Sequence, residues 1–362
     1  MRRDVRRCVP ASRAPAFSTR LVTRFVRQAI RSVVATVMLF FAQFADAQSP
    51  STNAGISDNG SALFDAILAT PNPKTPTIPD NDLATAPGLE GLASPPQFTL
   101  NILAPALFNS NAQAVSAGGA ERLELNPSVH FGWAGQIPNF PIRVSGEASL
   151  EIDRYLNAGD ADANYIRPAA RAQYVSPDDD QDYSPFVSYA SELDFNSAFS
   201  RNTYVDQNLN LGIDKVFNFD SDFNRVLARS NSAAETVWSF GFSATAQRRF
   251  SDQARGSYAI SFAPSAGYVI SDEWNLSLSM LTTGRQYDTA VNLNRRTLAL
   301  EPIGLLEYMV PQRWFGDAAT ARGLGNPAID LVVGADREWS NASGGTYVQV
   351  TAGLVLKVGW RF

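Results

Sequence analysis

From Gly345 to the end of the chain, hydrophobic and polar positions alternate one by one. Val348, Val350, Ala352, Leu354, Leu356, Val358, Trp360 and Phe362 fall on one face, and Tyr347, Gln349, Thr351, Gly353, Val355, Lys357, Gly359 and Arg361 on the other. Alternation with a period of two is the signature of a β-strand, whose successive side chains point to opposite sides. The same pattern begins at Gln97 and repeats along the chain. Phe98, Leu100, Ile102, Ala104, Ala106 and Phe108 line one face of a first segment. In a third segment, Ile142, Val144, Ala148, Leu150 and Ile152 oppose Arg143, Ser145, Glu147, Ser149, Glu151 and Asp153. Twelve segments of this kind are predicted, near 97–109, 121–136, 141–156, 164–177, 184–199, 203–219, 236–251, 256–271, 274–288, 296–313, 327–340 and 345–362. Turn-forming clusters separate them, such as Ile137-Pro138-Asn139 and Ser271-Asp272-Glu273. A count of ten or fourteen also fits the pattern.

Segments this long, apolar on one side throughout, match strands that cross a bilayer, where about 9–11 residues span the hydrocarbon. The terminal Gly359-Trp360-Arg361-Phe362 resembles the last strand of Gram-negative outer-membrane β-barrel proteins. That resemblance implies an all-β, antiparallel transmembrane barrel in the cell outer membrane, with outer-membrane lipids around it. It also implies that Trp360 and Phe362 form a signal read by the barrel-assembly machinery. An even strand number puts both barrel ends of the chain on one side, expected to be the periplasm. On that side falls the longest predicted connection, Asp220 to Glu235, with a short helix expected around Phe223 to Ala228. This departs from the usual arrangement of short periplasmic turns.

The segments before Gln97 read differently. Residues 1–47 are expected to be a signal peptide with a long charged region: Arg24, Arg27 and Arg31 precede the apolar run Val33 to Ala42, and Ala45-Asp46-Ala47 fits a cleavage site. Residues 48–96 carry eight prolines among Ser, Thr, Asn and Asp, the composition of an extended linker. Within it, Ser61 to Ala69 can form two helical turns with Leu63, Phe64, Ile67 and Leu68 on one side. It is expected to dock at the rim, to enter the lumen, or to be a transient helix. Residues 97–362 are the barrel.

Charge and rare residues narrow the chemistry. Beyond residue 47 the chain holds 21 basic and 33 acidic side chains. That balance argues against nucleic acid, whose binders present basic patches. The one cysteine, Cys8, lies in the expected signal peptide, and the one histidine is His130. No multi-histidine or thiolate metal centre is therefore expected, and no cofactor.

The faces opposite the apolar ones are expected to line the lumen. Arg143, Glu147, Glu151 and Asp153 lie on the third segment, Arg167 and Arg171 on the fourth, Glu192 and Asp194 on the fifth. Arginines between two acidic strands form either a charged ring that selects solutes or a network that braces the wall. The balance leans acidic, which favours cations weakly. No lumenal tyrosine or tryptophan ladder is expected. The resulting expectation is a porin-like channel for small hydrophilic solutes and not an enzyme. A non-conducting structural, assembly or secretion-partner barrel is the alternative, and a signal peptide, a linker and a terminal barrel also resemble an autotransporter. Ser128 and His130 share an inward face beside Glu147 and Glu151, so a serine hydrolase is the remaining expectation.

Overall fold

The computed structural model describes residues 97–111, 121–137, 140–156, 162–174, 184–226, 236–251, 255–288, 294–315, 327–342 and 345–361. The expected signal peptide, the 48–96 linker and Phe362 lie outside the described residues.

The described residues form twelve antiparallel strands. They are β1 (Gln97–Asn109), β2 in two pieces (Arg122–Leu125 and Ser128–Gln136), β3 (Ile142–Tyr155), β4 (Ala163–Tyr174), β5 (Ser184–Asn196) and β6 (Asn202–Phe219). They continue as β7 (Trp238–Ser251), β8 (Ser257–Val269), β9 (Trp274–Tyr287), β10 (Arg296–Met309), β11 (Ala328–Ser340) and β12 (Tyr347–Arg361). Each strand pairs with its neighbours in sequence, and β1 pairs with β12 from Thr99↔Arg361 to Asn109↔Thr351. The sheet is therefore a closed barrel with no free edge, the one way strands satisfy their backbone groups in lipid. Twelve is the strand count read from the sequence.

Alternation sends one face of every strand outward. Phe131, Leu211, Tyr258, Ile260, Leu354 and Leu356 are exposed on the outer surface. An apolar belt of this extent on a closed barrel is a lipid-facing surface. Among the described residues no helix is long and apolar enough to cross a membrane. The crossing is made by strands.

The two rims of the belt differ. At the proximal end, where β1 begins and β12 finishes, the outer surface is aromatic. Phe223 stacks on Trp238 at 5.5 Å and Trp238 on Tyr268 at 4.1 Å, and Trp274 meets Tyr308 at a tilt at 4.7 Å. At the distal end arginines reach the outer surface. Arg248 lies over Tyr258 at 4.2 Å and pairs with Asp288 at 2.5 Å, and Arg337 lies over Trp339 at 4.7 Å. Stacking on a ring lets a guanidinium stay at the lipid boundary while its charge faces the polar zone.

Three local departures from the regular ladder stand out. In β2, Asn126 and Pro127 interrupt the strand, because proline offers no N–H. The neighbours compensate: Asn126 N donates to Pro105 O at 3.4 Å and Ile152 N to Pro127 O at 3.1 Å. The tenth segment stops at Met309, ahead of Pro311, and a 3₁₀ turn over Gln312–Phe315 replaces its expected last residues. The expected helix near Phe223 is not found where its residues are described. Arg225–Val226 is extended and pairs with Asn218 and Phe219. Asp220 sets that turn, accepting from Asp222 N at 2.8 Å and Asn224 N at 2.9 Å. The Asn224 side-chain amide, donating to Asp220 Oδ2 at 3.0 Å, and those backbone bonds hold its carboxyl below the ordinary carboxylate value. They also help hold Phe223 at φ 61°, where its ring reaches Trp238.

Candidate functional site

The inner wall divides into three sectors with different chemistry. Strands β2 to β6 contribute a charged sector. Register brings its members together: Ser128↔Glu151, His130↔Ser149 and Gly132↔Glu147 between β2 and β3, and Ser149↔Arg167 between β3 and β4. Arg167 is the centre. Its Nε donates to Glu192 Oε2 at 2.6 Å, and its Nη1 pairs with Glu151 from the other side. Glu192 also accepts from the Tyr204 hydroxyl at 2.7 Å. Arg171 pairs with Asp214 of β6 and lies over the Phe186 ring at 3.7 Å. An arginine of β4 between acidic strands is the arrangement expected from the sequence, and Arg167 adopts it.

The other candidates distribute around this centre. Asp153 is buried on the same β3 face, distal to Glu151. Asp194 lies on the β5 face that carries Glu192. Arg143 sits at the proximal start of β3, opposite Gln173. Glu147 is the most open of the set, with its side chain 48% exposed.

His130 bridges Ser128 and Glu147. Its Nε2 lies 3.0 Å from Ser128 Oγ and its Nδ1 3.0 Å from Glu147 Oε1. This is the connectivity of a serine–histidine–carboxylate relay. The serine is only 2% exposed. A reacting carbonyl needs to reach within about 3 Å of that oxygen beside oxyanion donors. As placed, the trio is a hydrogen-bonded inner-wall network facing the lumen.

Strands β7 to β9 form a second sector in which most inward side chains are small, including the buried Ser239, Ser257, Ala259 and Ser277, with Arg249 and Tyr287 at its distal end. The third sector is apolar. Leu103 and Leu107 of β1, Leu305 of β10, Val332 of β11 and Val355 of β12 cluster on the inner face. Beside them toward the proximal end, Lys357 is shared by Glu307 and Asp330, the latter at 3.3 Å.

Two features of the wall differ from the sequence reading. Tyrosines do reach the inner face: Tyr165 under Arg167 at 4.5 Å, Tyr204 under Arg255 at 3.6 Å and Tyr287 under Arg295 at 4.9 Å. Tyr165 stacks with an arginine of its own strand, Tyr204 and Tyr287 with arginines of loops, and each tyrosine lies on a different strand, so no single segment displays them as a row. The apolar sector was also missed. Each of its strands contributes only one or two inward apolar residues, and only the register gathers them. Among the described residues, no group of three or more His, Cys, Asp or Glu is placed to hold a metal ion. Trp360 pairs with Leu100 across the closing strands.

No protein-family model matches the chain, and no curated protein matches it. Solved structures resemble its fold distantly. An outer membrane channel from Pseudomonas putida F1 is similar with a TM-score of 0.45 and 8% identity, over 76% of this chain and 99% of that one. LpxR from Salmonella typhimurium is similar with a TM-score of 0.37 and 6% identity, over 72% and 99%. The translocator domain of the autotransporter NalP from Neisseria meningitidis has a TM-score of 0.35 and 10% identity, over 76% and 91%. None of these likenesses carries a function to this chain. Closure of the twelve strands and the apolar exterior make the protein an outer-membrane β-barrel.

Proposed function

We propose that the protein passes small hydrophilic solutes across the outer membrane along the charged sector of its inner wall, with a mild preference for cations. One observation carries this reading. Three members of the charged sector keep contact with solvent within an inner wall that is otherwise largely buried, Glu151 and His130 included. Glu147, Arg171 and Asp214 have side chains 48%, 32% and 29% exposed, whereas Val332 and Asp330 are at 0%. A water-filled path bordered by charge suits hydrated ions and polar solutes. Carboxylates outnumber arginines there, which supports the cation preference. The bracing role of the ion pairs fits beside this one, since a charge network that holds the wall also presents charge to the path.

The test is single-channel recording of the refolded chain from Gln48 to Phe362 in a planar bilayer under a salt gradient. Steady conductance with a reversal potential on the cation side is expected. Silence at all voltages overturns the channel reading. The second reading, a non-conducting barrel, draws on Leu103, Ser128 and Glu151, which share one row at mid-height and are all buried. It predicts that silence.

A further inference from the structure

The apolar sector points into the lumen, yet Leu103, Val332 and Val355 are 0% exposed, and Leu107 and Leu305 nearly so. Register makes them neighbours: Leu305↔Val332, Pro105↔Val355, and Gly353 opposite both Leu107 and Val332. A side chain at Gly353 would run into the backbone of Ala106 and Leu107, so β12 and β1 approach closely there and bring the leucines and valines into one apolar strip, the trough. Side chains just fill a barrel of about eight strands, and a twelve-stranded lumen is wider. The adjoining wall of small residues on β7 to β9 leaves further room. Leucine and valine side chains are too short to cover one another across that space.

We infer that the trough is the seat of this chain's own segment Ser61 to Ala69. Its side with Leu63, Phe64, Ile67 and Leu68 matches the trough, and Asp65 lies on its other side. The segment is tethered to the right place. It leads into Gln97 at the proximal end of β1, and Leu103 is only six residues, about 20 Å, further along that strand. The twenty-seven residues between Ala69 and Gln97 cover that distance with ample slack. Charge agrees in sign and direction. Lys74 is the only basic residue between 48 and 96. It lies on the Gln97 side of the apolar stretch, as Glu307 and Asp330, sharing the single Lys357, lie on the proximal side of the trough. The seated segment lines one side of the lumen and leaves the charged sector as the path. This effect on the path rests on the channel reading; the contact itself does not.

The expected mature chain has no cysteine, so thiol chemistry reads the contact directly. In the chain from Gln48 to Phe362, Val332→Cys should resist a water-soluble maleimide. In the chain from Gln97 the same cysteine should react about tenfold faster or more. Glu147→Cys serves as the open control in both, and the heat-induced mobility shift of a folded barrel checks each variant. Phe64→Cys with Val332→Cys should form an intramolecular disulfide on mild oxidation, and Lys74→Glu should lower its yield. Rapid labelling of Val332→Cys in the longer chain overturns the inference. So does equal protection in both chains, which assigns the trough to a lipid or detergent tail, and so does a disulfide between two copies in place of one within a chain. Protection with silence in bilayers sinks the channel reading alone. Conductance with an unprotected Val332→Cys sinks the docking alone.

Discussion

The two sides of the inner wall achieve burial by opposite means. On the β2 to β6 side, charged groups sit close together and neutralise one another, with Arg167 held between Glu151 and Glu192. On the β10, β11, β12 and β1 side, leucines and valines are withdrawn from water together, with Glu307, Asp330 and Lys357 gathered into one ion-paired group at their proximal edge. The first arrangement tolerates water along its edge. The second requires something apolar against it. A single barrel therefore carries a wall that borders solvent and a wall that needs a cover.

The largest expected effects break one wall at a time. Arg167→Ala leaves two carboxylates facing each other without their partner and should cost about 3–5 kcal/mol in the denaturant unfolding of the refolded barrel. Deleting residues 48–96 should leave that cost unchanged. Leu305→Ala should cost about 2–5 kcal/mol in the chain from Gln48 and clearly less in the chain from Gln97, where no cover is lost. Equal costs in both lengths would erase the distinction between the walls. Permeation comes next. Arg167→Glu should move the reversal potential further toward cations, while Val332→Thr should leave it in place. A shift with the valine variant instead would put the path on the wrong side. Ser128→Ala and His130→Ala should change neither conductance nor lipid-ester hydrolysis by more than the scatter between preparations. Hydrolysis by the parent chain that both variants lose would revive the relay as chemistry.

The smallest effect lies outside the belt, at the Asp220 turn. Its carboxyl titrates below its ordinary value, so the turn is favoured above the usual carboxylate range and loses that support as pH falls through the depressed value. The protection of the Asn224 amide, taken relative to the intrinsic exchange rate at each pH, should fall at low pH in the parent chain and be lost at every pH in Asp220→Ala. Protection independent of pH in the parent would remove the turn from the account.

The architecture was legible because a lipid-facing strand has no freedom in its pattern. Every second residue meets hydrocarbon, so Ile260, Leu211 and Leu356 announce themselves. The charged sector was legible for a related reason: Arg167 and its partners lie on consecutive strands, where sequence neighbours are also wall neighbours. The apolar trough was not legible. It joins β1 to β12, β11 and β10 across the full length of the chain, and an isolated Val355 among Thr351, Gly353 and Lys357 reads as noise until the register is known. The inner tyrosines were hidden similarly, because Tyr204 meets Arg255 only through the pairing of β6 with β7. The break at Asn126 and Pro127 did not disturb the strand count, since the pattern of Leu123, Leu125, Val129 and Phe131 runs straight through it.

The seam between β1 and β12 also fixes an order in time. The first strand to be made waits for the last, roughly 250 residues later, and bringing such distant ends together costs about 5 kcal/mol of chain entropy before any bond between them forms. Until then both outermost strands hold rows of unanswered amides and carbonyls, ready to pair with any passing strand. A chain halted before Tyr347 stays in that state permanently. Its other eleven strands cannot make up for the missing one, so a nascent copy needs escort until its final fifteen-residue strand, Tyr347–Arg361, arrives.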